Sequence, residues 1–260
     1  MLFDLQSPGR RRVIKVVYSI LAILLAVGLV GFGIGSDATG GITDIFNSGG
    51  SADTGFEDEI EDNEKKVEEN PRDQKAQLEL VTLYIQQGNQ QLEADEATGE
   101  ATVTPDAEES YGKAADAWDA YLKLKPKNPN TGAALQLANV NFLIAQNATS
   151  GVDAQNAVEN AAEFQQVATD ADPSRGNLGN LALYLYFAGK FAAADAAAAK
   201  AVAATPKDDQ AASRKQFDQI KEQAEAFKKQ VAREQKLGAQ AEGQNPLGGA
   251  PTGGGALGTP

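Results

Sequence analysis

The chain has 260 residues, a formal net charge of −13, and neither cysteine nor histidine. Without Cys there are no disulfide frameworks, thiolate metal sites or Cys nucleophiles; without His the commonest general acid/base and metal ligand are gone. The first 35 residues carry Arg10, Arg11, Arg12 and Lys15 against Asp4, a net +3, which leaves −16 for the remainder. So acidic a body repels a phosphate backbone, and no nucleic-acid partner is expected.

Residues 1–12 read as a short basic cytoplasmic end, and residues 13–35 as a transmembrane helix. The 21 residues from Val16 to Ser36 hold no charge, and as a helix they would span about 31 Å, matching a hydrocarbon core of ~30 Å. The run from Val16 to Val27 is apolar all round, which suits lipid better than one face of a soluble domain. Its length favours an uncleaved anchor over a signal peptide, whose apolar region is shorter. Arginines before the segment and Asp37, Asp44 and Asp53 after it place the N-terminus inside and the body outside the cytoplasm. Gly31 and Gly35 have the spacing of a helix-dimerisation face, compatible with a homodimer; a helix end fraying into a linker gives the same pattern.

Residues 36–55, with Gly40-Gly41 and Ser48-Gly49-Gly50-Ser51, read as a flexible Gly/Ser tether. Helical periodicity then takes over, with almost no strand signal. A short helix carries Phe56, Ile60, Glu64 and Val67 and stops at Asn70-Pro71. The next run, Leu78 to Ile85, ends at Gly88, and a polar stretch from Gln90 to Glu109 follows. A helix bearing Tyr111, Ala114, Trp118 and Tyr121 ends at Pro126. Helices are expected over Thr131 to Gln146, Val152 to Ala168, Leu178 to Phe187 and Phe191 to Ala204. From Asp208 to about Gln240, Phe217, Ile220, Ala224, Phe227 and Val231 form an amphipathic stripe. Residues 241–260 are rich in Gly and Pro and are expected to be disordered.

The helix-ending prolines Pro71, Pro126, Pro173 and Pro206 are 55, 47 and 33 residues apart. A period of about 34 residues marks a helix–turn–helix repeat of the tetratricopeptide (TPR) type, and the longer spacings read as one period plus an insertion. The last unit resembles a TPR through Leu178, Leu181, Ala182, Leu185, Gly189, Phe191, Ala194, Ala198, Ala201 and Pro206, taken in order. It departs from the pattern at Leu178, where Trp is usual, and at Ala198, where an aromatic is usual. Small residues would let paired helices approach, and Gly189 would supply a turn with positive φ. The first unit pairs Leu80, Val81, Tyr84 and Gly88 with Tyr111, Ala114, Trp118 and Tyr121 across a polar insertion. The middle unit pairs Leu137 and Ala138 with Ala161 and Ala168 across a lengthened turn near Asn147 to Asp153. The expected fold is therefore all-α: a transmembrane helix, a TPR-like solenoid over residues 56–207, and a capping helix over residues 208–240.

The TPR resemblance implies protein binding in a groove lined by the first helix of each unit. Carried over by position, it names Leu78, Thr82 and Ile85, then Leu135, Asn139 and Phe142, then Leu183 and Tyr186. Asn139 matches one asparagine of the family's carboxylate clamp, whereas Leu135 stands where that clamp has Lys. The layout of anchor and outer repeat domain is similar to that of the bacterial ancillary Sec-translocon subunits with periplasmic chaperone activity. It implies a membrane-tethered scaffold in a bacterial envelope, with other proteins as partners; a self-associating structural component of the envelope is the alternative. No catalytic site, metal site or cofactor is expected: the acidic pairs form no calcium loop, and no Gly-rich stretch has phosphate-loop context.

Overall fold

The computed structural model describes residues 55–94 and 101–243. The expected cytoplasmic end, membrane span, most of the tether and most of the Gly/Pro tail lie outside the described residues. Within them the chain is all-α, with eight helices and one two-residue β ladder. No helix among the described residues is long and apolar enough to cross a membrane.

The helices are α1 (Gly55–Glu69), α2 (Gln74–Gln90), α3 (Pro105–Lys123), α4 (Thr131–Asn147), α5 (Gly151–Ala171), α6 (Arg175–Phe187), α7 (Phe191–Ala203) and α8 (Gln210–Gly243). A 3-10 turn, Lys207–Asp209, leads into α8. Each of five starts is fixed by a side chain that satisfies an otherwise orphaned backbone N–H. Asp73 accepts from Lys75 and Ala76 at 3.0 Å, Thr104 from Ala107 at 3.1 Å, Asn130 from Ala133 at 2.9 Å, Ser150 from Asp153 at 3.0 Å and Ser174 from Asn177 at 3.4 Å. Such caps each contribute about 1 kcal/mol, and Pro105 adds a preformed first turn to α3.

The most extensive contacts join α2 to α3, α4 to α5 and α6 to α7, so three helical hairpins follow one another, with α1 against α2 and α8 against α5, α6 and α7. The hairpin partners are those read from the proline spacing. Alanines make the close approach: Ala114, Ala134, Ala138, Ala161, Ala182 and Ala194 are each fully buried. The α6–α7 turn rests on Gly189 at φ 78°, where Lys190 N–H bonds Leu185 C=O at 2.9 Å and Gly189 N–H bonds Tyr186 C=O at 3.0 Å. These two bonds close a Schellman motif, and the left-handed residue within it is the Gly that the sequence marks for it.

Several boundaries differ from the sequence expectation. Gly88 does not end α2, which runs on to Gln90. A Cβ at position 88 would lie 2.4 Å from Cε1 of Tyr111, so this glycine serves close packing of α2 on α3 rather than termination. The polar stretch after it is not featureless. Glu93 pairs with Thr102 and Ala94 with Ala101 in an antiparallel ladder, and Thr104 Oγ1 donates to Gln91 C=O at 2.8 Å. The lengthened turn expected between α4 and α5 is only three residues, 148–150. The excess length lies mainly in the helices: α4 has 17 residues and α5 has 21, against 13 each in α6 and α7. At the ends, Gly55 already belongs to α1, and α8 continues past residue 240 to Gly243.

The α8 stripe is buried as its periodicity demands. Phe217, Ile220, Ala224, Phe227 and Val231 are all at most 4 % exposed. The Phe227 ring packs on Phe187 with centroids 5.8 Å apart, and the Lys228 ammonium sits over Phe191 at 5.2 Å. Farther along, Glu234 Oε2 accepts from Gly151 N–H at 2.8 Å, placing an anion at the N-terminus of α5 where the helix dipole favours it.

Candidate functional site

The eight positions named from the repeat resemblance fall into two classes. Leu78 and Thr82 on α2, and Leu135, Asn139 and Phe142 on α4, are half-buried. Ile85, Leu183 and Tyr186 are covered, at 4 %, 3 % and 3 % exposure. As the chain stands, these three side chains pack inside the helical array.

Thr82 lies one turn after Leu78, and its hydroxyl donates back to the Leu78 carbonyl at 3.3 Å, so its proton is already used within the helix. Leu135, Asn139 and Phe142 follow at i, i+4 and i+7 and share one face of α4. All 17 residues of α4 are uncharged, in a chain of net charge −13. The five half-buried residues are likewise neutral, so this part of the surface can hold an apolar or neutral segment without desolvating an ion. Phe142 rests against Tyr184 of α6 with centroids 5.3 Å apart and rings tilted by 40°. Burial pushes the Tyr184 phenol well above the usual tyrosine range, so it stays neutral. Position-matching passes over Tyr184, although the aromatic next to Leu183 is the residue that meets Phe142; its signal is the alternation of Leu and Tyr from Leu183 to Tyr186.

Tyr186 does a different job. Its hydroxyl donates to Asp195 Oδ1 at 2.7 Å, and Lys221 Nζ reaches both oxygens of the same carboxylate at 2.9 and 2.8 Å. The group ties α6 to α7 and α8. The hydrogen bonds from Lys221 and Tyr186 hold the Asp195 carboxyl below its usual range, and Asp195 in turn raises Lys221. On the other side of the array, Tyr84 donates to Glu64 and joins α2 to α1, while Tyr111 donates to Asn89 at 2.8 Å. Buried polar groups with defined partners of this kind fix helix register.

The hairpin after α2 touches α4 through one specific bond, from Val103 N–H to Asn147 Oδ1 at 3.3 Å. Asn147 also donates to Leu143 C=O at 2.9 Å, so both ends of its amide are engaged. Among the described residues, no group of three or more acidic side chains is arranged to hold a metal ion. The chain matches no protein-family model, and neither a curated protein nor a solved structure shows significant similarity to it.

Proposed function

We propose that this chain is a membrane-tethered, extracytoplasmic scaffold with a TPR-like repeat domain that binds other proteins on the faces of α2 and α4. The observation that carries the reading is the neutral, half-buried set Leu78, Thr82, Leu135, Asn139 and Phe142 on the leading helices of two successive hairpins. Hairpin pairing in chain order supports the repeat assignment, and the charge asymmetry across residues 10–53 supports the topology. An apolar anchor from a partner would displace water from Leu78, Leu135 and Phe142, while Asn139 would offer a directional hydrogen bond. Handling of exported chains near the translocon is the specific form that the architectural resemblance suggests.

The test is made in intact cells. Full-length chain carries topology reporters before Met1 and after Pro260 and is crosslinked, and the membrane fraction is analysed. The expected result is an extracytoplasmic C-terminal reporter and distinct proteins crosslinked to the repeat domain, lost in Leu78→Lys and Leu135→Lys variants. A cytoplasmic C-terminus refutes the topology. Crosslinks to the chain's own copies alone refute the scaffold and favour a self-associating structural component.

A further inference from the structure

Burial pushes four phenols, those of Tyr84, Tyr111, Tyr184 and Tyr186, above the usual tyrosine range. Three of them donate to a side chain: Tyr84 to Glu64, Tyr111 to Asn89 and Tyr186 to Asp195. Tyr184, 5 % exposed, has no hydrogen-bond partner among the described residues. Its hydroxyl is not sealed inside, because the one covered side-chain oxygen without a partner among those residues is Oε1 of Gln223. The Tyr184 ring is held by Phe142, itself half-buried on the face of α4 that carries Leu135 and Asn139. A positioned donor that nothing in the described protein uses thus lies beside that face.

The surroundings decide what this donor can meet. α4 has no charged side chain, and the sole charged residue of α6, Arg175, is the first of that helix, with Tyr184 in its last turn. Burial alone raises the Tyr184 phenol, whereas Glu64 and Asp195 act on those of Tyr84 and Tyr186. A carboxylate brought here would lose water with no cation to replace it, so the favoured acceptor is a neutral carbonyl. Main-chain carbonyls of a helix are used within the helix, so one free to accept belongs to an extended segment. We propose that the face of α4 beside Tyr184 binds an extended, uncharged segment of a partner polypeptide, whose main-chain carbonyl accepts from the Tyr184 hydroxyl while a neighbouring apolar side chain rests on Phe142. This chemistry rests on the scaffold reading and narrows its partners to uncharged, non-helical segments.

Titration calorimetry on the full-length chain in detergent micelles, blanked against empty micelles, tests this with an N-acetylated, C-amidated peptide, Gly-Ser-Leu-Ser-Leu-Ser-Gly, and two analogues with Lys or Glu at the central Ser. The uncharged peptide is expected to bind saturably, and each charged analogue at least ~10-fold more weakly. Tyr184→Phe keeps the ring on Phe142 and removes only the donor. It should weaken the uncharged peptide about 5-fold without lowering the melting temperature, since the hydroxyl has no protein partner to lose. The proposal is overturned if no peptide binds saturably, if a charged analogue binds as well as the uncharged peptide, or if Tyr184→Phe binds unchanged. It is also overturned if that variant melts below the wild type, which would give the hydroxyl a structural role. In all four cases the scaffold reading still stands where distinct proteins crosslink to the repeat domain in cells, and it fails separately where only the chain's own copies do.

Discussion

Two glycines in adjacent helices should respond to the same substitution with opposite signs. Gly88, in the last turn of α2, and Gly112, inside α3, are both helical positions, where Ala is favoured over Gly by up to about 1 kcal/mol. Nothing lies within 4 Å of a Cβ at Gly112, so Gly112→Ala should stabilise by about that amount. At Gly88 the added methyl would sit 2.4 Å from Tyr111 Cε1 and 2.7 Å from Cδ1, against an ordinary carbon contact of ~3.5 Å or more. The ring would have to move by about 1 Å. Tyr111 is 1 % exposed and its hydroxyl is tied to Asn89, so the movement strains the core and stretches that bond. Overpacking costs about 1–3 kcal/mol and the hydrogen bond about 1 kcal/mol, so after the propensity gain Gly88→Ala should destabilise by about 2 kcal/mol. Urea unfolding followed by fluorescence of Trp118, the single tryptophan and 1 % exposed, reads both variants. A Gly88→Ala chain as stable as the wild type would refute the packing argument. So would a Gly112→Ala chain that loses stability.

Lys125 adopts φ 53° just after α3, where Gly is the usual residue, and Pro126 has no N–H to complete a Schellman motif. Lys125→Gly should therefore stabilise by about 0.5–1 kcal/mol, after allowing for the entropy a glycine adds to the unfolded chain, and thermal melting checks the sign. Asp195 titrates below its unfolded value, so its contribution is present above the usual carboxylate pKa of ~3.9 and is lost as the pH falls through the folded value. The melting temperature of Asp195→Asn should accordingly lie below that of the wild type at pH 6, and the gap should narrow as the pH falls below the usual carboxylate range. A gap that persists in acid would refute the ionic account of the α6–α7–α8 tie.

The sequence is most legible where one residue type has one physical use. Pro71, Pro126, Pro173 and Pro206 bound the helices because proline cannot continue them, and Gly189 marks a left-handed turn because few other residues adopt it at low cost. The buried stripe of α8 follows from spacing alone. Gly88 misleads because glycine also permits close approach, and only the neighbouring helix reveals which use applies. The helix expected over Val152 to Ala168 reaches Gly151 and Ala171 in the structure, so the turn before it shrinks to three residues. At the candidate site the same limit appears. Spacing puts Leu135, Asn139 and Phe142 on one face, but the burial of Leu183 and Tyr186 depends on the helices packed around α6, which spacing within α6 does not report.

The attachment of α8 has a consequence for the order in which the protein matures. Glu234 bonds Gly151 across 83 positions, and Phe227 covers Phe187. A chain emerging from the ribosome or a membrane pore would complete α4 through α7 while the residues that shield them were still unmade. During that interval Phe187, Phe191 and the start of α5 would be open to water and to other chains. Emergence of α8, rather than completion of the hairpins, would then be the moment at which the fold closes.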